Sequence, residues 1–147
     1  MIGKSLGLIG ILICIGPTAV FASASQDQQL NSGDIRIALV GKLVAYAPAG
    51  WADAGIHEEF HEGGQWKGIY YSRGPIPFSG RWAIQNNQLC VVPDRDAVVA
   101  AWFDGRRCRN VWRVGETGRL LIKHLNPSFA KSGPLPMTIT DLSESQY

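Results

Sequence analysis

The densest run of side chains able to do chemistry is His57-Glu58-Glu59-Phe60-His61, an H-E-x-x-H pattern in a chain of 147 residues with three histidines. On a helix, imidazoles at i and i+4 lie about 6 Å apart on one face and could hold zinc, with Glu58 as general base on the metal-bound water. On a strand the same two imidazoles stand about 13 Å apart, too far for one metal, and Glu58 points to the opposite face. Gly55 and Gly63-Gly64 bracket only seven residues. So short a span fits a strand, a Gly-Gly turn and a second strand better than a catalytic helix.

The pattern resembles the signature of zinc metallopeptidases, and Gly64 stands where the longer form H-E-x-x-H-x-x-G-x-x-H has its glycine. That resemblance implies zinc held by His57 and His61, with Glu58 as the base. Lys67 takes the place of the third histidine, and His124 is far downstream. The strand reading implies no metal, no cofactor and no catalysis. Residues 25–147 hold no G-x-S-x-G elbow, no Gly-rich phosphate loop and no C-x-x-C.

A second cluster is basic: Arg106, Arg107, Arg109 and Arg113, with Trp102 and Trp112 nearby. Residues 25–64 carry two basic and six acidic side chains, whereas 65–147 carry eleven basic and six acidic. Such a stripe suits an anionic glycan or an acidic protein surface, and with a nearly balanced total charge no nucleic acid is expected as partner. These six residues are the candidate binding surface of a non-enzymatic, inhibitor-like module. The alternative is a structural envelope protein with no specific ligand, in which the arginines only solvate a strand face.

Both readings place the chain outside the cytoplasm. Lys4, the apolar run Leu6–Ile15 and Ala22-Ser23-Ala24 have the form of a secretory signal peptide, too short to span a membrane. Residues 1–24 are therefore expected to be removed, leaving 25–147 as one periplasmic or extracellular domain. Cys14 leaves with the leader, so Cys90 and Cys108 remain, in a compartment where a disulfide persists.

The elements that must position these residues are mostly strands. The expectation is a short helix capped by Asp34 and ended by Gly41, after a frayed N-terminus, followed by a strand over Lys42–Ala47. Ile56–Glu62 and Gln65–Arg73 form a hairpin whose three-residue loop would put Ile56, Phe60, Trp66 and Tyr70 on one face. Asn86-Asn87 joins Gly80–Gln85 to Gln88–Val92, aligning Trp82, Ile84, Leu89 and Val91 on the core face and Ala83 with Cys90 on the other. Gly74-Pro75 and Pro77 interrupt the chain before that hairpin. Ala97–Phe103 reads as a strand ending at Asp104-Gly105, Arg107–Val114 and Arg119–Leu125 as a hairpin, and Met137–Leu142 as the last strand after an irregular segment. The sum is an all-β antiparallel meander of about eight strands, a barrel or sandwich with one helix and one disulfide.

Two looser resemblances accompany this reading. Gly80-x-Trp82 is similar to the G-x-W of lipocalins, but falls after three expected strands instead of on the first. The run from Phe60 through Gly64, then G-R-W-A-I-Q-N-N-Q-L-C and C-R-N-V, resembles small exported bacterial proteins of uncharacterised function that share F-x-x-x-G, G-x-W…L-C and C-x-x-V. It implies an exported β-domain with a Cys90–Cys108 disulfide, and it carries over no catalytic residue.

Overall fold

A computed structural model describes residues 26–50, 55–102, 105–129 and 131–143. Residues 1–25, Trp51, Phe103 and Asp104 lie outside them, so the expected leader and the first half of the expected Asp104-Gly105 turn fall outside the described residues. No helix among the described residues is long and apolar enough to cross a membrane.

The chain opens on β1 (Gln28–Gln29), where a frayed end was expected. Leu30, buried, donates its N–H to Val111 O at 2.8 Å and anchors this segment. Helix α1 (Ser32–Leu39) follows, capped by Asn31 and not by Asp34. Asn31 Oδ1 accepts from Asp34 N at 3.0 Å, and its amide donates back to the Asp34 carboxylate at 2.8 Å. Ile35 and Leu39, four apart, face the core. Gly41, at φ +71°, turns the chain out of the helix.

A long antiparallel run comes next: β2 (Lys42–Tyr46), β3 (Gly55–Phe60), β4 (Gln65–Tyr71), β5 (Pro75–Gln85) and β6 (Gln88–Pro93). Ile56 pairs with Tyr70 and Phe60 with Trp66, and His61 N reaches Gln65 O, which leaves the three-residue loop 62–64. Asn86 and Asn87 both have positive φ, as a two-residue primed turn requires, and the register Gln85↔Gln88 through Trp82↔Val91 matches the expectation. Pro75 and Pro77 do not interrupt: β5 begins at Pro75, with Pro77 opposite Ile69.

The expected strand over Ala97–Phe103 is instead a 3₁₀ helix, Val98–Trp102. Asp94 N bonds Ser79 O, Ala97 N bonds Asp94 O and Ala100 N bonds Ala97 O, so the Pro93-Asp94 turn winds on in short repeats. The edge of β6 that this segment would need is taken by β7 (Arg107–Arg109), with Cys90 opposite Cys108. Asn110 then breaks the expected Arg107–Val114 strand, and β8 (Val111–Arg113) leaves for a second sheet with β9 (Leu120–Ile122). A 3₁₀ turn (Pro127–Phe129) and β10 (Leu135–Pro136) form where only irregular chain was expected, and β11 (Thr138–Asp141) returns to flank β2.

The order is β11-β2-β3-β4-β5-β6-β7 in one sheet and β1-β8-β9-β10 in the other, antiparallel throughout. The larger sheet keeps β11 and β7 as edges and is not a closed barrel. One buried cluster joins both sheets and α1, with Phe60, Trp66, Trp82, Leu89, Val111 and Ile122 among its members.

Candidate functional site

Glu58, fully buried on β3, faces inward and accepts four hydrogen bonds. Arg109 Nη2 and Trp66 Nε1 donate to Oε1 at 2.8 and 3.1 Å; Tyr46 OH and Arg109 Nη1 donate to Oε2 at 2.7 and 3.1 Å. Arg109 Nη1 also donates to the Tyr46 oxygen at 2.6 Å. Burial opposes the charge on Arg109, but Glu58 and Tyr46 more than offset it and its pKa is raised. The Tyr46 hydroxyl is pushed well above its usual range, chiefly by burial, so it remains a donor.

Two sequence expectations change here. Glu58 cannot serve as a solvent-facing general base, because both its oxygens are committed in the interior. Arg109 leaves the candidate binding surface for the core, at 3% exposure. Its position two residues from Arg107 on a strand put it in the stripe. No sequence signal marked it as the partner of a glutamate 51 residues away.

His57 and His61 occupy the opposite face, as strand alternation requires. His57 stacks edge-on to Tyr71 at 4.9 Å and burial lowers its pKa, while His61 Nε2 lies 2.8 Å from Glu59 Oε2. The helical face of two imidazoles and a glutamate does not form, and no group of three metal-ligating side chains occurs among the described residues.

Of the remaining basic candidates, Arg107 lies where the chain switches sheets. A hollow of about 290 Å³ there is lined by Gln88, Arg107, Cys108, the buried Arg109, Asn110, Trp112, Lys123 and Pro134. Gln88 Nε2 donates to Asn110 Oδ1 at 2.8 Å across its floor, and Lys123 Nζ donates to Ser132 O on its wall. Arg106 is exposed and donates to Gln85 Oε1 at 2.5 Å, and Arg113 is exposed on β8. Trp102 does not join them: it packs edge-on to Tyr70, 4.5 Å between ring centroids. The Cys90–Cys108 disulfide pins β7, and with it Arg107, against β6. Gln88, Asn110 and Lys123 were not anticipated, since only the break at Asn110 brings them beside Arg107.

Comparison with protein-family models, with curated proteins and with solved structures gives no match.

Proposed function

We propose that the chain is an exported, non-enzymatic binding module whose groove at the sheet switch takes an anionic polymer, a glycan or an acidic protein surface. The observation that carries this reading is the basic excess of the segment that lines that groove. Residues 105–123 hold six basic side chains and one acidic. With Arg109 ion-paired to Glu58 inside, the basic side chains of this segment still outnumber its single acidic one, and Arg107 and Lys123 line the hollow. Trp112, half-buried beside Arg107, offers an aromatic surface for the apolar side of a sugar ring. The apolar leader and the disulfide support export, and the domain needs no cofactor to act as a binder.

Passing the mature domain over immobilised heparin, polygalacturonate and an acidic protein, at low and moderate salt, tests this. Binding to at least one surface is expected, weakening as salt rises and falling about tenfold or more in Arg106→Glu/Arg107→Glu. Binding indifferent to that double substitution removes the groove from the account. Binding to none of the three favours the structural envelope role.

A further inference from the structure

We propose that His124 is an acid-released latch: neutral, it holds the 123–134 segment against the core, and on protonation it lets that segment go. His124 is 2% exposed and lies two residues past the end of β9. Asn126 N donates to its Nδ1 at 2.9 Å, which places the ring hydrogen on Nε2, and Nε2 has no partner among the described residues. Asn126 Oδ1 accepts from Ser128 N at 2.8 Å and its amide donates to Tyr70 OH at 3.3 Å, so the turn is wound around the imidazole.

A second proton would have to sit on Nδ1, where it would confront the Asn126 N–H and end that hydrogen bond. The acid that acts on such a charge is Glu58, which is already committed to other partners. Edge-on to the ring are Tyr46 of β2 at 5.3 Å and Tyr70 of β4 at 6.5 Å, and Phe129 of its own segment is tilted against it at 4.4 Å. Beyond Tyr46 lie Glu58 of β3 and Arg109 of β7. Glu58 is already bonded through both oxygens, and Arg109 repels a new cation. Burial lowers the His124 pKa to about 4, against the pull of Glu58 and with the smaller push of Arg109, so the ring is neutral at pH 7 and charges only as acid is added. Lys123 and Pro134 line the groove, so release would dismantle one of its walls. That consequence for the groove, unlike the latch, rests on the binding reading above.

Hydrogen exchange of the disulfide-bonded protein at pH 7.5, 6.0, 5.0 and 4.0, corrected for intrinsic rates, tests the latch in the parent and in His124→Gln. Glutamine can accept from Asn126 N but does not titrate. Protection in peptides covering 123–134 is expected to fall on the order of a hundredfold by pH 4 in the parent, with β3–β6 holding and the variant nearly flat. Equal losses in parent and variant, or no loss in the parent, overturn the proposal. An NMR titration of His124 in the parent needs no variant, and a midpoint near 6.5 would also overturn it. Retention on heparin, polygalacturonate and the acidic protein at pH 7.5 is read separately: its absence on all three contradicts the binding reading, while exchange alone decides the latch.

Discussion

Arg109 Nη2 lies 2.8 Å from Glu58 Oε1, although β7 and β3, which carry them, are four strands apart in the sheet. In a flat sheet that separation is about 19 Å, beyond what an arginine and a glutamate can span together. The sheet therefore curls until its seventh strand faces its third, and Tyr46 on β2, one strand further, reaches the same guanidinium. The ion pair thus sets the curvature that brings the sheet switch and its basic groove into place.

Removing one partner of this pair leaves a buried charge. Arg109→Ala and Glu58→Ala are each expected to lower unfolding free energy by roughly 3–5 kcal/mol in urea titrations. Glu58→Leu/Arg109→Met together should lose much less than the sum of the two single losses. Additive losses would show that the two side chains do not act as a unit.

Gly80 lets β6 and Trp66 close onto β5. A Cβ there would lie 2.3 Å from Val92 O and 2.8 Å from Pro93 Cα, both backbone atoms that cannot swing aside. Gly80→Ala should cost about 1–3 kcal/mol, and Gly133→Ala, with open space and no positive φ, within about 0.5 kcal/mol. Thermal midpoints of the two variants check the contrast.

The disulfide links residues 18 apart in sequence. The oxidised protein should be two hydrogens lighter than its reduced form by mass spectrometry. Cys90→Ser/Cys108→Ser should lose about 3 kcal/mol and loosen β7 first. Free alkylation of both thiols without reductant would contradict the pairing.

Stability should also depend on pH through His124. Its pKa is lowered from the ordinary 6.5 to about 4, so the fold favours the neutral ring. That contribution is complete above about pH 6.5 and is lost as pH falls towards 4, up to roughly 3 kcal/mol. Half-buried His57 shifts in the same direction. Urea midpoints at pH 7 and 4.5 should differ by more in the parent than in His124→Gln.

The hairpins were readable because their signals are local. Asn86-Asn87 dictates a primed turn, and alternation around Gly63-Gly64 selects the loop that buries Ile56, Phe60, Trp66 and Tyr70 together. Whatever depended on distant partners was not readable. Ala97–Phe103 has strand-like residues, but its place beside β6 was taken by β7, and Arg109 looked like Arg107 until Glu58 turned inward. Two-residue strands such as β1 and β10 carry no periodicity at all and exist because β8 and β9 present them an edge.

The groove is tested most directly by an NMR titration of the mature domain with a heparin oligosaccharide, following the Trp112 indole N–H and the amides of Arg107, Asn110 and Lys123. The account predicts that these signals move together and that the movement shrinks as salt is raised. Unmoved signals at the sheet switch, with shifts confined to other parts of the domain or with none anywhere, would contradict it.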